Sequence, residues 1–154
     1  MTRIHLETHI AASIQRCFDL ARSVDVHQQS MEQSGERAVS GVTSGLMELG
    51  DSVTWEAKHL GFTRRLTSKI TNFDPPQGFV DAQVSGPFAY FTHTHGFIAI
   101  ESGTLMTDDF DYGVPFGPLG AIGNRLILAG YMRRLLQTRN AHIKHIAESD
   151  EPRS

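Results

Sequence analysis

The sequence predicts an α+β fold in which consecutive antiparallel strands form one sheet and a single long helix closes the chain. Three observations carry that prediction. Between Asp51 and Val114 polar and apolar residues alternate at the two-residue period of a half-buried strand. That alternation is punctuated by Gly61, Asp74-Pro75-Pro76, Gly86-Pro87 and Ser102-Gly103, the residue types that turn a chain or deny a ladder its N–H. From Ala121 to Glu148 there is no proline, and apolar and basic residues recur at helical spacing instead.

Each element follows in order. Ile4, Leu6 and Ile10 alternate with polar residues as a first strand, and Ser13 can cap a short helix carrying Ile14, Phe18, Leu20 and Ala21. A second short helix spans Val24 to Met31, and Glu36 to Val42 reads as a strand. Gly41, Gly45 and Gly50 then mark an irregular passage. Asp51 to Leu60 places Val53, Trp55, Ala57 and His59 on one face, and Gly61 allows a tight turn into a strand from Phe62 to Phe73. Strands over Phe79 to Val84, Ala89 to Glu101 and Thr104 to Val114 complete an antiparallel meander.

In the last helix Leu128, Met132, Leu135, Leu136, Ile143 and Ile146 fall within a sector of ~100°, the width of a helix lying on a core. Arg139 falls inside that sector and reads as an anchor for the helix rather than a catalytic group, its stem packed while its guanidinium snorkels or pairs with a carboxylate. Leu126 to Met132 is apolar nearly all round, which predicts cover on more than one side. Cys17, the one cysteine, reads as a small core filler. His142 and His145, near the helix C-terminus, read as surface residues.

Composition narrows the class. A chain of 154 residues with 40% apolar content fits a single domain over 1–148, with 149–154 a disordered charged tail. The net charge of −3 and the scattering of basic residues outside pairs such as Arg64-Arg65 and Arg133-Arg134 argue against nucleic acid as a partner. The N-terminus runs directly into strand-like alternation, and no window approaches the ~20 apolar residues of a membrane span. A cytoplasmic protein without stable membrane insertion is the expectation. The chain is compatible with a monomer or a homodimer, since an edge strand can be capped by a loop or by a second subunit.

The chemistry concentrates on one strand. In Phe91-Thr92-His93-Thr94-His95-Gly96-Phe97, two phenylalanines and two histidines share a face. By the same parity His59 and Trp55 on one neighbour, and Met106, Asp108, Phe110 and Tyr112 on another, join Phe91, His93, His95 and Phe97 around a concavity. Phe116, with Pro115, Pro118 and Leu119, forms an apolar rim at its mouth. A buried Asp108 requires a partner, and a histidine is the economical one; pairing would favour both charged forms.

His93-x-His95 with His59 or Asp108 could supply three metal ligands, yet no cysteine or second spaced motif accompanies it, so no metal is expected. Gly117-x-x-Gly120-x-x-Gly123 departs from the phosphate-binding pattern, contains Pro118 and lies outside any alternating β-α units; no cofactor is expected. No serine sits at a nucleophile elbow.

Several motifs carry a family resemblance: Thr8-x-Ile10, Phe18-Asp19-Leu20-Ala21, Thr43-x-Gly45-Leu46, Gly50-Asp51-x-Val53-Thr54-Trp55, Gly86-Pro87-Phe88, His93-x-His95-x-Phe97, Asp108-x-Phe110-x-Tyr112 and Tyr131 through Arg139-Asn140. With the element order, they resemble the START-related SRPBCC superfamily, which includes polyketide cyclases/dehydrases and birch-allergen-like proteins, and within it an uncharacterised bacterial branch. The resemblance spans nearly the whole chain. It implies a helix-grip fold: a curved antiparallel sheet with two short helices and a long C-terminal helix over a hydrophobic cavity. The superfamily shares no catalytic motif, so the resemblance implies no reaction.

Aromatic walls with few convergent polar groups favour binding or transport of a small hydrophobic or amphipathic ligand, such as a lipid, quinone or polyketide-like molecule. One alternative is a cyclase/dehydratase-type enzyme. In it His93 or His95 removes a proton α to a carbonyl and Asp108 orients the imidazole, with His59 a further candidate acid or base. Another is a protein-interaction module, which predicts a contiguous exposed apolar patch rather than a deep pocket.

Overall fold

The computed structural model describes residues 2–59 and 61–149, the side chains of residues 33 and 59 excepted. In chain order the elements are β1 (Thr2–Ile10), α1 (Ile14–Ala21), α2 (Val24–Ser30), a 3-10 turn (Glu32–Ser34), β2 (Arg37–Gly41) and β3 (Ser52–His59). They continue with β4 (Phe62–Asp74), β5 (Gly78–Ser85), β6 (Tyr90–Ile100), β7 (Gly103–Gly113), α3 (Gly117–Gly123), a π-helical turn (Asn124–Leu128) and α4 (Ala129–Ser149). The expected tail beyond Ser149 lies outside the described residues.

The strands form one antiparallel sheet in the order β1-β7-β6-β5-β4-β3-β2. From β3 to β7 the order is the predicted meander, β2 adds to its β3 edge, and β1 pairs with β7 from Thr2 opposite Tyr112 to Ile10 opposite Thr104. Register shifts between Ala38 and Ser40 in β2, and in β4 between Thr67 and Ser68 and between Ile70 and Asn72, bend the sheet into a curve. At the β6–β7 turn Gly103 has φ +142, and a Cβ there would meet the Ile10 carbonyl oxygen at 2.2 Å, so only glycine lets β1 end against this turn.

The Ser13 hydroxyl caps α1 by accepting from the Arg16 amide at 3.2 Å. Ser23 does the same for α2 through the Val26 amide at 3.2 Å. Phe18 of α1 is fully buried, its ring 5.5 Å from Phe73, 5.7 Å from Phe79 and 5.6 Å from Phe97. With Cys17, Met106, Ile143 and Ala147 these residues form a core in which α1 and the C-terminal half of α4 lie on the sheet. Cys17 takes the filler role, its Sγ 4.0 Å from the Ala12 carbonyl oxygen. A second cluster, Ile4, Phe91, Phe110, Tyr112 and Leu136, packs under the middle of α4.

The closing helix begins earlier than predicted, at Gly117, and carries a π-helical turn before α4. One expectation is corrected here. Leu126 and Ile127 are 76% and 60% exposed, so the apolar stretch from Leu126 is covered on one side only. Its inner side faces a cavity and no described element covers its outer side.

Candidate functional site

Between the sheet and α4 lies a cavity of about 660 Å³, within the range of small-molecule sites. The sheet contributes Val53, Trp55, Ala57, Leu66, Ile70, Phe79, Phe91 and Phe110; α4 and the π turn contribute Ile127, Leu128, Met132, Leu135 and Leu136. The predicted apolar sector of the last helix therefore faces both core and cavity. Phe62, Phe116 and Ile127 line it while remaining 64%, 81% and 60% exposed, which marks them as its mouth.

The buried polar groups come from adjacent strands. In the ladder His95 stands opposite Asp108 and His93 opposite Phe110, while Asp81 of β5 stands opposite His93. The side chains pair diagonally. His93 Nε2–H donates to Asp108 Oδ1 at 2.8 Å, and His95 Nε2–H donates to Asp81 Oδ1 at 2.6 Å. The imidazoles stack at 3.7 Å between centroids, and Phe79 stacks on the other face of His95 at 4.1 Å.

α4 completes the network from above. Arg139, 4% exposed, donates from Nη1 to Asp108 Oδ1 at 3.4 Å and to Asn140 Oδ1 at 2.9 Å. Its Nη2 donates to the Ala21 carbonyl at the end of α1 at 3.2 Å and to His95 Nδ1 at 3.4 Å. Asn140 Nδ2 donates to Asp108 Oδ2 at 2.7 Å. The arginine thus anchors α4, as its place in the apolar sector predicts, and it satisfies an orphan carbonyl at a helix end.

The electrostatics follow from this arrangement. His95 is pushed down to about 4, by burial first and by neighbouring His93 second, outweighing the hydrogen bond to Asp81. A neutral ring protonated on Nε2 leaves Nδ1 as the acceptor that the Arg139 bond requires. Burial works against ionisation of Asp108, yet the His93 hydrogen bond first, with neighbouring His93 and the Arg139 guanidinium, holds it well below the usual carboxylate range. Asp81 is lowered in the same way: burial opposes, and the His95 bond prevails. The expectation that a histidine partner favours the charged form of Asp108 therefore holds; in the separate His95–Asp81 pair the carboxylate is favoured as well, but desolvation keeps His95 neutral.

Asp81, His93 and His95 each present a ligand atom within 4.8 Å of the others. Both Nε2 atoms are already committed to carboxylates, and the Arg139 guanidinium beside His95 opposes a further cation. The arrangement is that of a hydrogen-bonded network. A second polar pair lines the cavity elsewhere: His27 Nε2–H donates to Glu36 Oε1 at 2.6 Å, with the His27 ring 4.2 Å from that of Trp55.

Of the predicted site residues, Trp55, Phe91, His93, His95, Phe110 and Phe116 line the cavity. Phe97, Met106, Asp108 and Tyr112 do not. They share the sheet face, but Phe97 and Met106 lie under α1, where the core leaves no space, and Asp108 lies behind His93. Tyr112 is fully buried, its hydroxyl donating to Asn124 Oδ1 at 2.6 Å. The side chain of His59 lies outside the described residues. The sequence pattern does not single out Asp81, His27, Glu36 or Asn140 for the site. Asp81 lay within a predicted strand opposite His93, so the meander register could have revealed it; the others depend on how helices dock.

No protein-family model matches the chain, and no curated protein is similar to it in sequence. Solved structures do match. TTHA0849 from Thermus thermophilus is similar at 15% identity with a TM-score of 0.73, over 96% of this chain and 100% of that one. The ginseng major latex-like protein 151 from Panax ginseng is similar at 14% identity and a TM-score of 0.64, over 95% and 97% of the two chains. Ara h 8.0201 is similar at 12% identity and a TM-score of 0.63, over 92% and 97%. At such identities the likeness is one of architecture: the chain has the α+β helix-grip fold of the SRPBCC and birch-allergen-like proteins.

Proposed function

We propose that the protein binds or carries a small hydrophobic or amphipathic molecule, of lipid, quinone or polyketide-like chemistry, between the sheet and α4. The observation that carries this reading is the cavity of about 660 Å³ itself, walled by aromatic and aliphatic side chains, with a buried polar network on one wall and the His27–Glu36 pair elsewhere. Apolar walls supply affinity by removing ligand surface from water, and the few polar groups orient the ligand. His93 and Asp81 on one wall, and the His27–Glu36 pair elsewhere, are groups an oxygen-bearing end of the ligand could meet. Uptake of anilinonaphthalene sulfonate by purified protein, followed by fluorescence, tests the reading. Ala57→Phe fills the cavity from β3 and is expected to cut uptake about tenfold, an aromatic ring occupying space the probe needs. Equal uptake by both proteins, or none by the parent chain, would overturn it.

A second reading, acid/base catalysis of the cyclase/dehydratase kind, rests on the His93–Asp108 hydrogen bond of 2.8 Å on the cavity wall. Asp108 accepts the hydrogen bond from Nε2–H of His93, which leaves Nδ1, on the other side of the ring, as the atom that would take a proton from a substrate. A His93→Gln variant that still turns over a polyketide-type carbonyl substrate at the parent rate would exclude this reading.

A further inference from the structure

The helical lip of the cavity has two apolar sides. Phe116, Gly120, Ile127 and Leu128 line the cavity, whereas Leu119, Ile122 and Leu126 do not and are 76%, 57% and 76% exposed. Their spacing puts these three on one outer face of the helix. The proposed ligand site makes no use of them, and an apolar face left in water needs an occupant. Phe116 projects beside them at φ +73, a left-handed conformation disfavoured for a bulky residue, with its ring 81% exposed.

Charge indicates the occupant. From Tyr112 to Ala147 the chain contains no aspartate or glutamate, although its net charge is −3. The same segment exposes Arg125, Arg133 and Arg134. Across the mouth, exposed Phe62 lies 5.5 Å below the Arg64 guanidinium, and Arg65 is exposed with it. The carboxylates near this rim are engaged: Glu36 accepts from His27, and Glu56 from Arg37 and Arg65. We propose that this lip docks the protein on an anionic lipid bilayer, with Leu119, Ile122, Leu126 and Phe116 entering the interface and the arginines meeting the headgroups. Apolar side chains beside arginines are the composition such an interface selects. A second copy of the chain fits less well, because a two-fold interface sets the same face on both sides and would bring Arg125, Arg133 and Arg134 toward one another with no acidic residue of this segment to pair with them. The docking does not depend on what the cavity holds, though it turns the mouth toward the bilayer.

Co-sedimentation of the full chain with sucrose-loaded vesicles tests the proposal. Binding is expected to equimolar phosphatidylglycerol and phosphatidylcholine, with little to phosphatidylcholine alone, and to weaken as salt is raised. Leu119→Ser with Leu126→Ser should lower the partition coefficient roughly tenfold while thermal unfolding and anilinonaphthalene sulfonate uptake stay as in the parent. Arg133→Gln and Arg134→Gln should each lower it roughly fivefold. Absence of binding to the anionic vesicles overturns the proposal, as does binding that both sets of variants leave unchanged. A concentration-dependent dimer that Leu126→Ser abolishes, or an acidic protein captured by the lip in place of vesicles, overturns it too.

Discussion

Replacing His95 with glutamine is expected to flatten the acid side of the stability profile. The imidazole is 4% exposed, and both nitrogens are engaged, Nε2–H with Asp81 and Nδ1 with Arg139. Burial, then neighbouring His93, hold it at about 4 against an ordinary 6.5. Because the folded value lies below the unfolded one, the unfolded chain takes up the proton first as pH falls. The contribution of a neutral His95 is thus complete above pH 6.5 and is lost as pH falls toward about 4. The gap is worth roughly 3 kcal/mol. Glutamine keeps both bonds, its amide N–H donating to Asp81 and its carbonyl accepting from Arg139, and it does not titrate.

Urea unfolding from neutral pH to about pH 4 reads the effect, with a loss of ~3 kcal/mol for the parent chain and a nearly level profile for His95→Gln. Other groups cancel in the difference. Asp81 and Asp108, both lowered, contribute stability that is lost as pH falls below their ordinary 3.8. His5, raised by its bonds to Glu7 and Asp109, contributes stability that is lost as pH rises above 6.5. A parent profile that stays level between pH 6.5 and 4, or an equal slope in the variant, would refute the assignment of His95 as a neutral, desolvated imidazole.

Asp108→Ala is expected to cost about 3–5 kcal/mol in urea unfolding, because it leaves His93, Asn140 and the buried Arg139 without their shared acceptor. Tyr112→Phe removes the hydroxyl that donates to Asn124 and is expected to cost about 1 kcal/mol. Faster amide exchange over residues 124–128 would locate that loss at the π-helical turn.

Residues that alternate at strand period, and the turns between them, were legible because both follow from local geometry. The meander from β3 to β7 and the shared face of Trp55, Phe91, His93, His95 and Phe110 follow from that spacing, and the last helix starts one turn before its predicted start, at Gly117. Parity says which face a side chain occupies, but not what lies above it. Hence parity groups Phe97 and Met106 with the cavity although α1 covers them, and the apolar run predicts for Leu126 and Ile127 a cover that no described element provides.

The partners within the network show the same boundary. Asp108 needing a histidine follows from the cost of burying a charge, and the structure supplies His93. That His95 turns to Asp81 depends on the register of β5 against β6, and that Arg139 reaches Asp108, His95 and the end of α1 depends on how α4 is seated.

By itself the sequence determined the α+β class, the strand meander, the closing helix and the concentration of aromatic and titratable residues on one sheet face, since each is set by spacing along the chain. Only the tertiary structure decided that α1 fills one end of that face while the other stays open as a cavity, that desolvation leaves His95 neutral, and that the lip keeps an uncovered apolar side. Those outcomes depend on distances between elements remote in sequence, where packing and the loss of water set the energies.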